Sequence, residues 1–220
     1  MPKAVSDNGL TLVLLLLFCV SLAGQSLAGL ANYNEDQDEH GRPKVTYAGY
    51  LTSSAFVESV FENWESEFLQ MALYVWLTSF LYQRGSAESK DPDEREEVDE
   101  DPETHRSDPG APGPVRSGGM VLKLYENSLS LSLLFLFVIS FVLHLRGSVG
   151  ESCRENVMHG GTCSTMFEHL GSSTFWFESF QNWQSEFLSI AVVVVFSIFL
   201  RQKGSPESKP VHTPHTNTGK

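Results

Sequence analysis

Positive charge is in short supply in this sequence: 15 lysines and arginines stand against 27 aspartates and glutamates, for a formal net charge of −12. Nucleic-acid binders carry the opposite balance, so nucleic acid is excluded as a partner. Cysteine is scarce too. Cys19, Cys153 and Cys163 are too few for a disulfide framework or a four-thiolate zinc site. The chain also lacks a P-loop, a Rossmann glycine pattern, a His-Glu-x-x-His pair and a nucleophile elbow. The expectation is a protein with no metal, no cofactor and no catalytic residue, and hence not an enzyme. One more absence is local. Residues 10–30, 68–81, 129–145 and 187–200 contain no Asp, Glu, Lys, Arg or Pro.

What is present is written twice, at a constant spacing of 119 residues. Phe61-Glu62-Asn63-Trp64-Glu65-Ser66-Glu67-Phe68-Leu69 returns as Phe180-Gln181-Asn182-Trp183-Gln184-Ser185-Glu186-Phe187-Leu188. His40-Gly41 returns as His159-Gly160, and Gly85-Ser86-Ala87-Glu88-Ser89-Lys90 as Gly204-Ser205-Pro206-Glu207-Ser208-Lys209. A register that holds this long means duplication, and internal repeats settle architecture early.

Each repeat carries two apolar segments. A bilayer core of ~30 Å needs about 20 mostly apolar residues in a helix. Residues 9–31 and 127–146 meet that length, and the shorter pair meets it if helices run over 64–83 and 183–202. Trp64 and Trp183 then sit at one headgroup level, where Trp is enriched, with Arg84, Lys90, Lys203 and Lys209 as anchors at the other. The first apolar segment resembles a signal peptide. Its repeat counterpart lies mid-chain, so a retained membrane helix is the expectation. The reading is all-α: an integral membrane protein of four transmembrane helices in two tandem two-helix repeats, residues 1–90 and 120–209. Phe56, Val57, Val60, Phe61 and Trp64 trace an amphipathic helix lying in the bilayer interface, repeated by Phe175, Trp176, Phe180 and Trp183.

Orientation follows from the basic residues near helix ends. Lys3, Arg84, Lys90, Arg116, Lys123, Arg201, Lys203 and Lys209 fall on one side, and Arg42, Lys44, Arg146 and Arg154 on the other. Both termini are thus expected in the cytoplasm. Residues 88–108 hold eleven acids against three bases, and Pro/Gly punctuation follows, so residues 91–119 read as a disordered acidic linker. Residues 210–220 read as a disordered tail.

Ionisable groups inside a bilayer are costly and attract functional suspicion. Glu67 and Glu186 each lie three residues past the tryptophan, and if the membrane helices begin at the tryptophans these carboxylates cap a first turn. Gln25 and His144 are repeat equivalents at a similar outer depth, with Ser21 and Ser140 one turn deeper. The six form a candidate polar cluster, which either holds helices together or carries protons or ions. Conduction by so few helices calls for a homo-oligomer. Cys153 and Cys163 lie in the second outer loop, where oxidation is permitted, and could close a disulfide or stay free. Glu35, Asp36, Asp38, Glu39 and His40 end the first outer helix without the ordered ligand spacing of a calcium loop.

At the Asn-Trp-x-Ser-Glu-Phe-Leu segments and the Gly-Ser-x-Glu-Ser-Lys ends the chain resembles a family of bacterial multi-pass membrane proteins, domain of unknown function 6766. The resemblance runs from about Asn8 to Lys209, with residues 175–209 its most specific stretch. It implies a bacterial inner-membrane protein in contact with the lipid bilayer, and it lends no catalytic residue. The functional expectation is a non-enzymatic structural or partner-binding protein, with a small proton- or ion-conducting protein as the alternative.

Overall fold

The computed structural model describes residues 7–219; Lys3 lies outside them. Among the described residues the chain is all-α, with no strand. In order come α1 (Gly9–Glu39), α2 (Tyr47–Leu51) and α3 (Ser54–Leu77). Two 3-10 turns (Glu97–Asp99, Pro102–His105) and α4 (Gly113–Ser117) follow. Then come α5 (Gly119–Glu126), α6 (Ser128–Met158), α7 (Met166–Leu170) and α8 (Ser173–Phe199). Helices α1, α6 and α8 are long and apolar enough to cross a membrane.

The helix boundaries follow from the local chemistry. Helix α1 contains no proline and runs to Glu39; His40 caps it, and Gly41 takes the left-handed φ of 67° that a side chain would resist. Helix α7 opens with a capping box. Thr165 Oγ1 accepts the Glu168 N–H, while the Glu168 carboxylate takes the Thr165 N–H at 2.7 Å. The stretches expected as separate interfacial helices are instead continuous with the apolar segments after them. Neither 54–77 nor 173–199 contains a Gly or Pro to interrupt the hydrogen-bond ladder. The ends differ from expectation as well, α3 stopping at Leu77 and α8 at Phe199.

The fold divides into two compact units, with the divisions falling inside α3, α6 and α8. Unit 1 takes residues 1–61 and 143–175; unit 2 takes residues 62–142 and 176–220. Unit 1 buries Tyr50, Val60, Leu145 and Phe175, together with His144, Ser148 and His169. Helices approach closely there because glycines let them. A Cβ on Gly147 of α6 would stand 2.5 Å from the Glu58 backbone nitrogen of α3. A Cβ on Gly29 of α1 would strike the Tyr50 ring.

In unit 2, residues 91–119, read from the sequence as a disordered linker, are drawn in by ion pairs. Lys90 pairs with Asp99, Arg84 with Asp93 at 2.6 Å, and His105 bridges Glu100 and Asp108. Arg106 and Arg116 donate to backbone carbonyls of the same segment. Ala111, Val115 and Leu122 pack together beneath α4 and α5.

The glycine packing yields a direct test. Gly147→Ala pushes a methyl group into backbone that has no side chain to swing away, and is expected to cost about 1–3 kcal/mol. Gly24→Ala, with nothing within 4 Å of its added Cβ, is expected to leave stability level or slightly raised. Thermal unfolding of the two purified variants in detergent measures both.

Candidate functional site

The strongest concentration of buried polar chemistry lies in unit 2, where α3 meets α8. Glu65, Ser66 and Gln70 of α3 are all buried, Glu65 completely. From α8, Trp183 Nε1 donates to Glu65 Oε1 at 3.0 Å and Asn182 Nδ2 donates to Glu62. Gln70 Nε2 then donates to Ser189 Oγ at 3.0 Å and to the Glu186 carbonyl. Glu62, Glu65 and Gln70 lie within an arc of about 140° around α3, so one neighbouring helix can reach all three. Polar side chains on otherwise apolar helices find partners across the helix pair, because leaving them bare costs several kcal/mol each.

Unit 1 carries a second polar centre at the far end of α1 and α6. Arg154 Nη1 lies 2.6 Å from Asp36, Arg154 also pairs with Glu151, and its guanidinium stacks 5.1 Å over Tyr33. The hydrogen bond from Arg154 holds the Asp36 carboxyl below its ordinary value, against a smaller opposing effect of burial. Burial works against the Arg154 charge, but the hydrogen bonds to Glu151 and Asp36 outweigh it and raise the guanidinium. Asp38 pairs with Lys44 at 2.7 Å. The acidic end of α1 is therefore committed to cations of the protein itself. Among the described residues no group of three or more His, Cys, Asp or Glu is arranged to hold a metal. Deeper in unit 1, Ser148 Oγ lies 2.8 Å from His169 Nε2, Ser26 Oγ lies 2.8 Å from the Tyr47 hydroxyl, and His144 packs on Phe175 at 4.9 Å. Cys153, near the C-terminal end of α6, is joined as a disulfide to Cys163 in the loop that follows, with Cα atoms 4.5 Å apart.

The six residues of the candidate cluster are divided between the units. Gln25, Ser21 and His144 belong to unit 1; Glu67, Glu186 and Ser140 belong to unit 2. Gln25 Nε2 donates to the Ser59 carbonyl at 3.2 Å, while Ser21 is exposed. His144 and Ser140 are buried. Glu67 is exposed and Glu186 half-buried. The expectation that they cap a first turn is corrected here. Helices α3 and α8 begin at Ser54 and Ser173, so both glutamates sit mid-helix, where the backbone N–H groups are already bonded.

The anchor residues also divide. Trp183 spends its indole N–H on Glu65, Arg84 is exposed and paired with Asp93, and Lys203 is exposed. Lys90 folds back over the Tyr82 ring at 5.7 Å, and its pairing with Asp99 raises its ammonium. Lys209 was expected at the headgroups and is instead 1 % exposed. Its Nζ donates to the carbonyls of Gly85, His215 and Asn217, at 2.5, 3.1 and 2.8 Å. Burial beside Arg201 lowers that ammonium. Residues 210–219, read above as a disordered tail, supply two of those carbonyls. Glu65 was missed by sequence reasoning, although position 65 and its equivalent Gln184 are both polar within an apolar context, and that was the available signal.

The Gly-Ser-x-Glu-Ser-Lys segments take the same form in both places. Gly85 and Gly204 adopt φ of 81° and 85°, which only glycine does freely. The first serine of each accepts the glutamate N–H, Ser86 from Glu88 and Ser205 from Glu207. The second closes the loop on an upstream backbone N–H, Ser89 on Gln83 and Ser208 on Gln202. The glycine and the two serines of the motif thus each have a backbone reason. A family model described as Domain of unknown function (DUF6766) matches residues 1–220. The chain belongs to that family. No curated protein and no solved structure matches the chain significantly. For this DUF6766 chain, then, chemistry is argued from its own side chains.

The Asp36–Arg154 pair gives a pH prediction. The folded-state carboxyl is depressed, so its stabilisation is full above the unfolded value of about 3.9 and is lost as pH falls through the lower folded value. The melting temperature in detergent is expected to drop as pH is taken below about 4. Asp36→Asn should lower it at neutral pH and flatten that part of the dependence.

Proposed function

We propose that this chain is a multi-pass inner-membrane protein that crosses the bilayer four times, as two tandem two-helix repeats. In this reading it serves as a non-enzymatic structural or partner-binding protein. The observation that carries the role is the polar seam of α3 and α8. Glu62, Glu65 and Gln70 are engaged by Asn182, Trp183 and Ser189, which is how polar groups hold membrane helices together.

The repeat is supported by the element bounds. Gly9–Glu39 and Ser128–Met158 have the same length, 31 residues, and Tyr47–Leu51 has its counterpart in Met166–Leu170. Packing supports it too. Gly29 lies against Tyr50, and their equivalents Ser148 and His169 are hydrogen-bonded. Gln70 and Ser189 are repeat equivalents, 119 residues apart, and they touch. Equivalents that meet each other lie on a twofold axis, which fits parallel repeats related about the membrane normal. The fourth span is α3, whose glutamates are confined to positions 58–67 and whose length beyond them carries no charge, its one amide, Gln70, being bonded to α8. Basic residues flanking the helices support cytoplasmic termini, and the Cys153–Cys163 disulfide fits an oxidising outer side.

Topology is the test. Single cysteines introduced near Asp38 and near Glu155, in a background without the native thiols, are expected to react in intact cells with a membrane-impermeant maleimide. One introduced at Ser107 in the linker should react only after lysis. Labelling of the first two only after lysis would overturn the orientation and with it the four-span reading.

A second reading, proton or ion conduction, draws on the placement of Glu67 and Glu186, repeat equivalents on α3 and α8, in the same unit. In it the two carboxylates carry the ion, and a homo-oligomer supplies the missing walls. Wild-type protein in liposomes would then conduct, and the Glu67→Gln, Glu186→Gln double variant would lose most of that flux. The structural reading expects no flux above empty liposomes from either protein.

A further inference from the structure

Within unit 2, α3, α5 and α6 enclose a groove of 610 Å³. Leu69 and Trp76 line it from α3, Leu131 and Leu134 from α6, and Lys123 and Asn127 stand at its α5 end. Lys123 is the one charged residue among those lining it. We propose that this groove is a binding site for an anionic phospholipid of the cytoplasmic leaflet, holding one acyl chain, with the headgroup phosphate against Lys123 and Asn127. The inference rests on the four-span reading above.

Three features of the groove point to that occupant. The first is depth. Leu69 to Trp76 and Asn127 to Leu134 each cover seven residues, about 10 Å along a helix, so the groove reaches from the headgroup level well into the acyl region. The second is α5 itself. It turns Leu122 (2 % exposed) inward onto Ala111 and Val115, and leaves Met120 (87 %) and Leu124 (64 %) bare. Both bare side chains line the groove, as apolar surface that an acyl chain would cover. The third is charge. An ammonium at the mouth of an apolar slot, beside an amide that can donate as well, complements a phosphate diester whose chains enter the slot. The chain's net charge of −12 gives no general attraction to anionic lipid, so any preference has to come from a local cation.

The test uses the full chain, purified in detergent, delipidated, and titrated with dioleoyl phosphatidylglycerol or dioleoyl phosphatidylcholine while bound lipid is read by native mass spectrometry. One phosphatidylglycerol is expected to bind about fivefold more tightly than phosphatidylcholine, the factor expected for a single lysine at a membrane surface. Lys123→Glu, an exposed position whose change leaves the fold intact, should abolish the preference. Lys123→Arg should keep it. Leu134→Trp, which fills the slot, should weaken both lipids together. Equal binding of the two lipids by the wild type, or an unchanged preference in Lys123→Glu, would overturn the site. So would a protein dimer forming in place of the lipid adduct. A protein that needs no detergent for extraction would instead sink the membrane reading itself, before this titration begins.

Discussion

Backbone and side-chain polar groups on long apolar helices must find partners within the protein, and this one requirement organises most of what the chain does. In unit 2 it pairs Glu62, Glu65 and Gln70 of α3 with Asn182, Trp183 and Ser189 of α8. In unit 1 it joins Ser148 to His169 and Ser26 to Tyr47. Each pair spends a hydrogen-bonding group that an apolar environment would otherwise penalise, and each fixes the rotation of one helix against another. Where no polar group needs a partner, glycine takes over. Gly147 and Gly29 admit a neighbouring element at a distance that any side chain would forbid.

The same requirement governs the helix ends. A turn or so past Leu77 and Phe199 the chain leaves the helical hydrogen-bond ladder, and its backbone groups need other partners. The two Gly-Ser-x-Glu-Ser-Lys loops satisfy them with serine hydroxyls, a left-handed glycine and a lysine that reaches for carbonyls. Lys209 takes this furthest, with its ammonium enclosed by the carbonyls of Gly85, His215 and Asn217. Its counterpart Lys90 meets a carboxylate, Asp99, and one carbonyl, that of Ser79. Duplicated sequence has thus been put to different local uses. Position 148 is a serine bonded to His169, where its equivalent, Gly29, only makes room for Tyr50.

Much of this was legible in the chain. Residues 10–30 and 129–145 announce long helices because nothing in them is charged and nothing breaks a helix, and His40-Gly41 marks the end of α1 by the conformation that glycine permits. The helix starts were harder. Trp64 and Trp183 suggested a boundary by their affinity for an interface, yet a boundary needs a break in the hydrogen-bond ladder, and 54–77 offers none. That error carried Glu67 and Glu186 to helix N-termini in the reading, whereas the continuous helix sets them mid-helix. The candidate cluster rests on a different kind of inference. Equal depth along separate helices is a one-dimensional statement, and it does not say which face of each helix a side chain occupies.

The sequence by itself determined the helical class, the apolar stretches and the family, because those depend on residue type and on spacing along one chain. Only the tertiary structure decided that Trp183 turns its indole to Glu65, that Gln70 meets its own repeat equivalent Ser189, and that Lys209 is buried. The physical reason is that a polar group's partner is chosen by helix rotation and close approach in space. Residues more than a hundred positions apart settle that between them, and no local pattern records the choice.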